Sequence, residues 1–238
     1  MSFLVAIEGA DGAGKATAAA HVREALLTQG HTACVISFPR YGQTAGGFAI
    51  GDFLSGRTPV PVSPKAAAVL YALDRLESLD VVEAASASHD VIIFDRYIAS
   101  NMVYQAAKVK AAEARAMMDW IFALETKTFG VTPPDLSIYL DTPVSHARKL
   151  ILQKHRRSYT DRAYDEHEAD LALQKQVRTN YSLLASTNVL SPWHIVSTAV
   201  GKVMRAPSDI SEEIVRRILR YLKSQGSEAK LSKMMPSA

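Results

Sequence analysis

Five short runs of nearly continuous apolar residues punctuate the chain: FLVAIEG (3–9), TACVISFP (32–39), DVIIFDRY (90–97), DLSIYLD (135–141) and WHIVST (193–198). Unbroken runs of this length, rich in β-branched residues, mark strands buried on both faces, as in a parallel sheet. Between them lie stretches with helical spacing: TAAAHVREALLTQG, stopped by Gly30, then SPKAAAVLYALDRLESLDVVEAAS, AEARAMMDWIFALET and EADLALQKQVRTNYSLLAS. Strands alternating with helices predict an α/β, doubly wound domain whose five-stranded parallel sheet is flanked by helices. DISEEIVRRILRYLKS (209–224) predicts a closing helix with an apolar stripe, and QGSEAKLSKMMPSA after it a flexible tail. The expected organisation is a single domain over 1–224 followed by the tail 225–238, with neither internal repeats nor a low-complexity linker.

Composition narrows the partners. With 238 residues, 48% of them hydrophobic and 21% charged, the chain can bury one sizeable core and carry a small lid. A net charge of +3 is too small to argue for nucleic acid. The one concentrated basic stretch, KHRRSYTDR (154–162), falls within an expected lid at about 152–168 and suits a local anionic ligand. A single cysteine, Cys34, excludes an internal disulfide and fits a reducing compartment. The opening MSFLVAIEG is too short an apolar run for a signal peptide or a membrane span, so a cytoplasmic protein with no membrane partner is expected.

The chemistry begins where the first run ends. Residues 9–17, Gly9, Ala10, Asp11, Gly12, Ala13, Gly14, Lys15, Ala16 and Thr17, fit the phosphate-loop pattern G-x-x-x-x-G-K-[S/T] everywhere except Ala16. A glycine-rich turn that opens a helix aims backbone N–H groups and the positive helix end at one spot, as a polyphosphate requires. Lys15 adds a mobile charge for the β- and γ-phosphates. Ala16 lacks the hydroxyl that would touch a metal, and Thr17 cannot replace it, because one step along a helix turns a side chain by about 100°. Magnesium commonly keeps several waters, so carboxylates elsewhere can hold it; Asp11, Asp95 and Glu168 are the candidates. Asp95 also reads simply as a turn former at a strand end.

Several motifs in order, across roughly residues 3–200, resemble the thymidylate kinase family of P-loop nucleoside monophosphate kinases. They are IEGADGAGK, FPRYG (38–42), DRYIASNMVYQ (95–105), PPDLSIYLD (133–141) and DRAYDEHEADLALQKQVRTNYSLLA (161–185), with FPRYG and DRYIASN closest to the actinobacterial branch. The resemblance implies ATP-dependent phosphorylation of dTMP to dTDP, with ATP as donor, Mg2+ as cofactor and a homodimer as the assembly. It implies that Tyr71 stacks on the thymine ring while Arg75, four residues on and so on the same helix face, meets the base carbonyl. Asn101 would read the base edge and Tyr104 would crowd the sugar C2′. Phe38, Arg40 and Tyr41 would lie near the acceptor, and Arg96 would clamp its monophosphate with an arginine fork. Asp11 and Asp95 would organise acceptor and metal.

Phosphoryl transfer needs cations on the moving group. The resemblance implies that an arginine comes from either the phosphate loop or the lid; the loop has none, so the lid is expected to supply it: Arg156, Arg157 or Arg162, with Arg157 preferred. Asp165 and Glu168 would orient the lid or bind magnesium. Blander readings stay open for several residues: a core aromatic for Tyr71, a surface charge for Arg75, a surface salt bridge for Arg40, a helix cap for Asn101. AEARAMMDW serves a dimer face or core packing equally well. The alternatives for the whole chain are a kinase of another nucleoside monophosphate or deoxynucleoside, for which the Tyr71, Arg75 and Asn101 set is unsuited, and a non-catalytic nucleotide-binding relative, for which Ala16 speaks.

Overall fold

In the computed structural model, which describes residues 2–155, 171–201 and 203–234, all five apolar runs are strands: β1 Phe3–Glu8, β2 Ala33–Ser37, β3 Val91–Asp95, β4 Leu136–Asp141 and β5 Trp193–Ser197. They form one parallel sheet in the order β2-β3-β1-β4-β5. β1 shows why its pattern is continuous: Leu4 and Ala6 join one apolar cluster while Phe3, Val5 and Ile7 join the other. Every second residue therefore serves a different core, and neither face is left for polar side chains.

The cluster on Val5 is closed by α1 (Lys15–Thr28), through Ala18, Val22 and Leu26, and by the last helix, α9 (Pro207–Met234), through Ile214 and Ile218. The opposite cluster is closed by α5 (Ile98–Ala106), α6 (Ala111–Ala123) and α8 (Leu171–Thr187). α9 runs past residue 224, where the tail was expected to start. Met117 and Met118 of α6 pack into this chain's own core.

Other elements differ from the reading of the sequence for physical reasons. The stretch 63–86 is two helices, α3 (Pro64–Leu76) and α4 (Leu79–Ser88), divided at Ser78, whose hydroxyl donates to the Asp74 carbonyl at 2.6 Å. α2 (Ala45–Leu54) begins on two glycines that allow close packing: a Cβ on Gly46 would lie 2.5 Å from the Asp74 nitrogen of α3. α5 is buried at all nine positions, with Ile98, Ala99, Met102, Val103 and Ala106 in the core and Ser100, Asn101, Tyr104 and Gln105 on the face that lines the cleft. α7 (Val144–His155) follows β4, and a short hairpin, β6 (Ala199–Val200) with β7 (Val203–Met204), precedes α9. Parallel order places the loops after β1, β2, β3 and β4 along one edge of the sheet, which is where ligands bind in open α/β sheets.

Candidate active site

The turn Gly9–Gly14 joins β1 to α1. Gly12 has φ +73°, and a Cβ there would come within 2.3 Å of the Ala147 carbonyl oxygen of α7, so only glycine fits. Gly14, φ +85°, caps α1 with no side-chain bond, leaving the leading N–H groups of that helix for an anion. Lys15 is buried, and its Nζ donates to the Ala10 carbonyl at 2.8 Å. Burial, reinforced by the Arg96 charge and opposed by Asp11, Asp95 and Glu8, pushes its ammonium down to about 8. Ala16 and Thr17 lie exposed in the first turn.

Asp11 is the node between this loop and the next strand end. One oxygen accepts from Arg96, and the other accepts from the Tyr104 hydroxyl at 2.6 Å and Gln174 Nε2 at 2.8 Å. Burial alone would raise this carboxyl, but the charges of Arg96 and Lys15 and the two bonds outweigh it and hold Asp11 well below the usual carboxylate range. Arg96, just after β3, adopts φ +66°, a left-handed conformation that is costly for a side chain of its size. Its backbone N–H donates to Ile7 at 3.1 Å, its guanidinium sits 5.4 Å from the Tyr104 ring centroid, and Nη1 reaches Ser100 at 3.4 Å. Beneath lies Glu8, fully buried, accepting from Tyr97 N at 2.8 Å, Ser100 Oγ at 2.7 Å and the Tyr181 hydroxyl at 2.8 Å. A buried carboxylate is tolerated only with such bonds, and these fix the turn that carries Arg96.

A cleft opens beside Asp11 and brings together Phe38, Tyr41, Tyr71, Arg75, Arg96, Asn101 and Tyr104 of the expected set. Arg40 does not line it; its guanidinium bonds Ser78 at 3.1 Å and Gln43 at 2.7 Å. At the cleft's inner end Arg75 is 2% exposed and donates through Nε and Nη2 to both oxygens of Glu125 at 2.5 Å. Burial would lower this guanidinium's pKa, but Glu125 more than compensates and Arg75 stays charged. Losing one partner of such a pair typically costs about 3–5 kcal/mol, because the other charge is left buried alone. Asn101, also buried, donates from Nδ2 to Glu125 at 2.8 Å and to the Ala68 carbonyl at 3.0 Å, whereas its Oδ1 has no partner among the described residues. Asn101 is thus inside α5, not a cap.

No cluster of three metal-binding side chains occurs among the described residues. Both oxygens of Asp11 are taken by Arg96, Tyr104 and Gln174, which leaves it poorly suited as a ligand. Asp95 ends β3, close enough to Lys15 to perturb its titration, and its carboxylate accepts no hydrogen bond among the described residues. One open carboxylate is the donor set expected of an ion that retains most of its waters, so the residues fit magnesium with Asp95 as the protein ligand. Arg156, Arg157, Arg162, Asp165 and Glu168 lie outside the described residues.

Sequence reasoning missed Glu125, Gln174, Glu8 and Gln105. Gln105 lines the cleft fully buried with neither amide atom partnered among the described residues. Its signal was available: it stands four residues after Asn101, on the same helix face. Glu8 was the lone charge in the first apolar run. Glu125 and Gln174 carry no local signal, since their partners are far off in sequence.

The thymidylate kinase family model matches residues 7–200 of this chain. A thymidylate kinase of Mycobacterium tuberculosis (strain CDC 1551 / Oshkosh) is 32% identical over 213 residues, covering 87% of this chain and 99% of its own. A probable thymidylate kinase of Thermococcus gammatolerans is 31% identical over 192 residues, covering 78% and 84%. One of Alkalilimnicola ehrlichii is 29% identical over 229 residues, covering 94% and 97%.

Proposed function

This chain belongs to the thymidylate kinase family, and we propose that its loop and cleft carry out ATP-dependent phosphorylation of dTMP, giving dTDP and ADP. The observation that carries this assignment is the position of Asp11: it belongs to the phosphate loop and also lines the cleft, so donor and acceptor meet there. The ATP phosphates take the free N–H groups of the loop Gly9–Thr17 and the charge of Lys15. Arg96, held by Asp11 and Ser100, presents its fork to the dTMP phosphate. Tyr71 offers its ring to the thymine, with Arg75 and Asn101 at the polar edge of the base and the orphaned Asn101 Oδ1 supplying an acceptor there. Tyr104, whose hydroxyl is tied to Asp11, crowds the sugar. Tyr41 closes the outer end, and Phe38 supports Arg75, whose guanidinium lies 5.8 Å from its ring centroid.

The protein's part is to position the reactants and stabilise charge on the migrating group. Lys15 does so from the loop and a lid arginine, Arg157 in this assignment, from the other side. Magnesium, with Asp95 as its protein ligand and water in place of a hydroxyl at Ala16, would neutralise charge on the ATP phosphates. The same reading takes the protein as a cytoplasmic homodimer organised as one kinase domain; no described helix is long and apolar enough to cross a membrane. Light scattering at twice the 25.9 kDa chain mass tests the assembly. For the reaction, incubation with ATP, magnesium and dTMP is expected to yield dTDP and ADP in equal amounts. ADP without dTDP would show hydrolysis instead and overturn the assignment.

A further inference from the structure

We propose that Glu125 is a specificity-determining positioning residue: by engaging Arg75 and Asn101 together, it fixes the hydrogen-bonding polarity of the cleft for a pyrimidine bearing an N3–H and a 4-oxo group, and against cytosine. The proposal rests on the reading that this cleft holds the base of the acceptor.

An asparagine amide can turn over and exchange donor for acceptor, so an isolated Asn101 would serve either kind of base edge. Here it cannot. Nδ2 faces two acceptors, Glu125 Oε1 at 2.8 Å and the Ala68 carbonyl at 3.0 Å, which use both of its hydrogens. Turning the amide would set Oδ1 against a carboxylate and a carbonyl in a buried place, two repulsive contacts for two lost bonds. Oδ1, with no partner among the described residues, is thereby held as an acceptor. The same carboxylate takes Nε and Nη2 of Arg75 at 2.5 Å, so Nη1 is the guanidinium nitrogen not spent on it. Both residues line the cleft. One buried anion therefore sets an acceptor at Asn101 beside a donor at Arg75. Thymine and uracil, with N3–H and a 4-carbonyl, match that pair; cytosine, with an N3 lone pair and a 4-amino group, meets acceptor with acceptor and donor with donor.

Glu125 owes its position to local backbone. α6 ends in a π-helical turn, Leu124–Thr128, and such turns redirect side chains that regular helical spacing would leave elsewhere. Glu125 is fully buried there, 50 residues from Arg75 and 24 from Asn101 in sequence. It touches the base only through those two side chains.

The test is calorimetric binding of dTMP and dCMP to the wild type, Glu125→Gln, Asn101→Leu and the double variant, with ATP affinity and thermal melting as controls. A glutamine amide can donate as well as accept, so in E125Q only the Ala68 carbonyl still opposes the turn of Asn101. The ratio of dCMP to dTMP dissociation constants is expected to fall at least about tenfold in E125Q, with ATP affinity unchanged, and not to fall further when E125Q is added to N101L. A folded E125Q with the wild-type ratio overturns the proposal while leaving the kinase assignment intact; a wild type that binds no dTMP overturns the assignment itself. Should E125Q not fold, Glu125→Asp keeps the charge but withdraws the carboxylate by one methylene. Its ratio is then expected to fall about threefold or more, and an unchanged ratio overturns the proposal.

Discussion

Lys15 shows how one buried residue couples nucleotide binding to proton concentration. Burial first, and the neighbouring Arg96 second, bring its ammonium from 10.5 to about 8, so in the free protein the charge that should meet the ATP phosphates is lost as pH rises through that value. Bound phosphates favour the ammonium, so above about pH 8 the protein must take up a proton to bind ATP. ATP affinity is therefore expected to be flat near neutrality and to weaken by up to about tenfold per pH unit above 8, with proton uptake visible in calorimetry across buffers of different ionisation enthalpy. An ATP affinity constant up to pH 10 would contradict this account of Lys15. The opposite balance holds at Asp11, where the charges of Arg96 and Lys15 and the bonds from Tyr104 and Gln174 overcome burial. The carboxylate therefore stays ionised at working pH, ready to hold Arg96.

At the scale of elements, the first turn of α1 carries both the N–H groups proposed for the ATP phosphates and the missing hydroxyl at Ala16. If Ala16 leaves a water where a serine would ligate magnesium, Ala16→Ser is expected to lower the magnesium concentration for half-maximal activity several-fold while leaving the KM for dTMP unchanged. An unchanged magnesium requirement would show that the ion is held without this position. The same turn marks what could be read in advance. All five strands and the loop announced themselves, because continuous apolar runs and glycine spacing are local signals. α2, α5 and α7 did not: α2 starts on glycines required by tight packing on α3, and α5 is only nine residues long, too short for its period to stand out. Of the cleft, Tyr71, Arg75, Asn101 and Tyr104 were legible, through helical spacing and a family resemblance. Glu125 was not, because its value lies in contacts 24 and 50 residues away across a π-helical turn.

For the whole molecule, the sheet order β2-β3-β1-β4-β5 brings the ends of β1 and β3 side by side, since β3 pairs directly with β1. Asp11 and Arg96 can meet across that seam only because Glu8, at the end of β1, anchors the backbone after β3 through Tyr97 and Ser100. The phosphate loop and the cleft are thus parts of one bonded unit, and with the donor in the loop and the acceptor in the cleft, as proposed, this favours in-line positioning over covalent chemistry. The measurement that tests this account most directly is an acceptor panel. ADP release from ATP would be followed with dTMP, dUMP, UMP, dCMP and AMP over a magnesium titration. The account predicts turnover with dTMP and dUMP, little with the other acceptors, and dependence on magnesium. Absence of turnover with every acceptor despite ATP binding, or turnover led by dCMP or AMP, would contradict it.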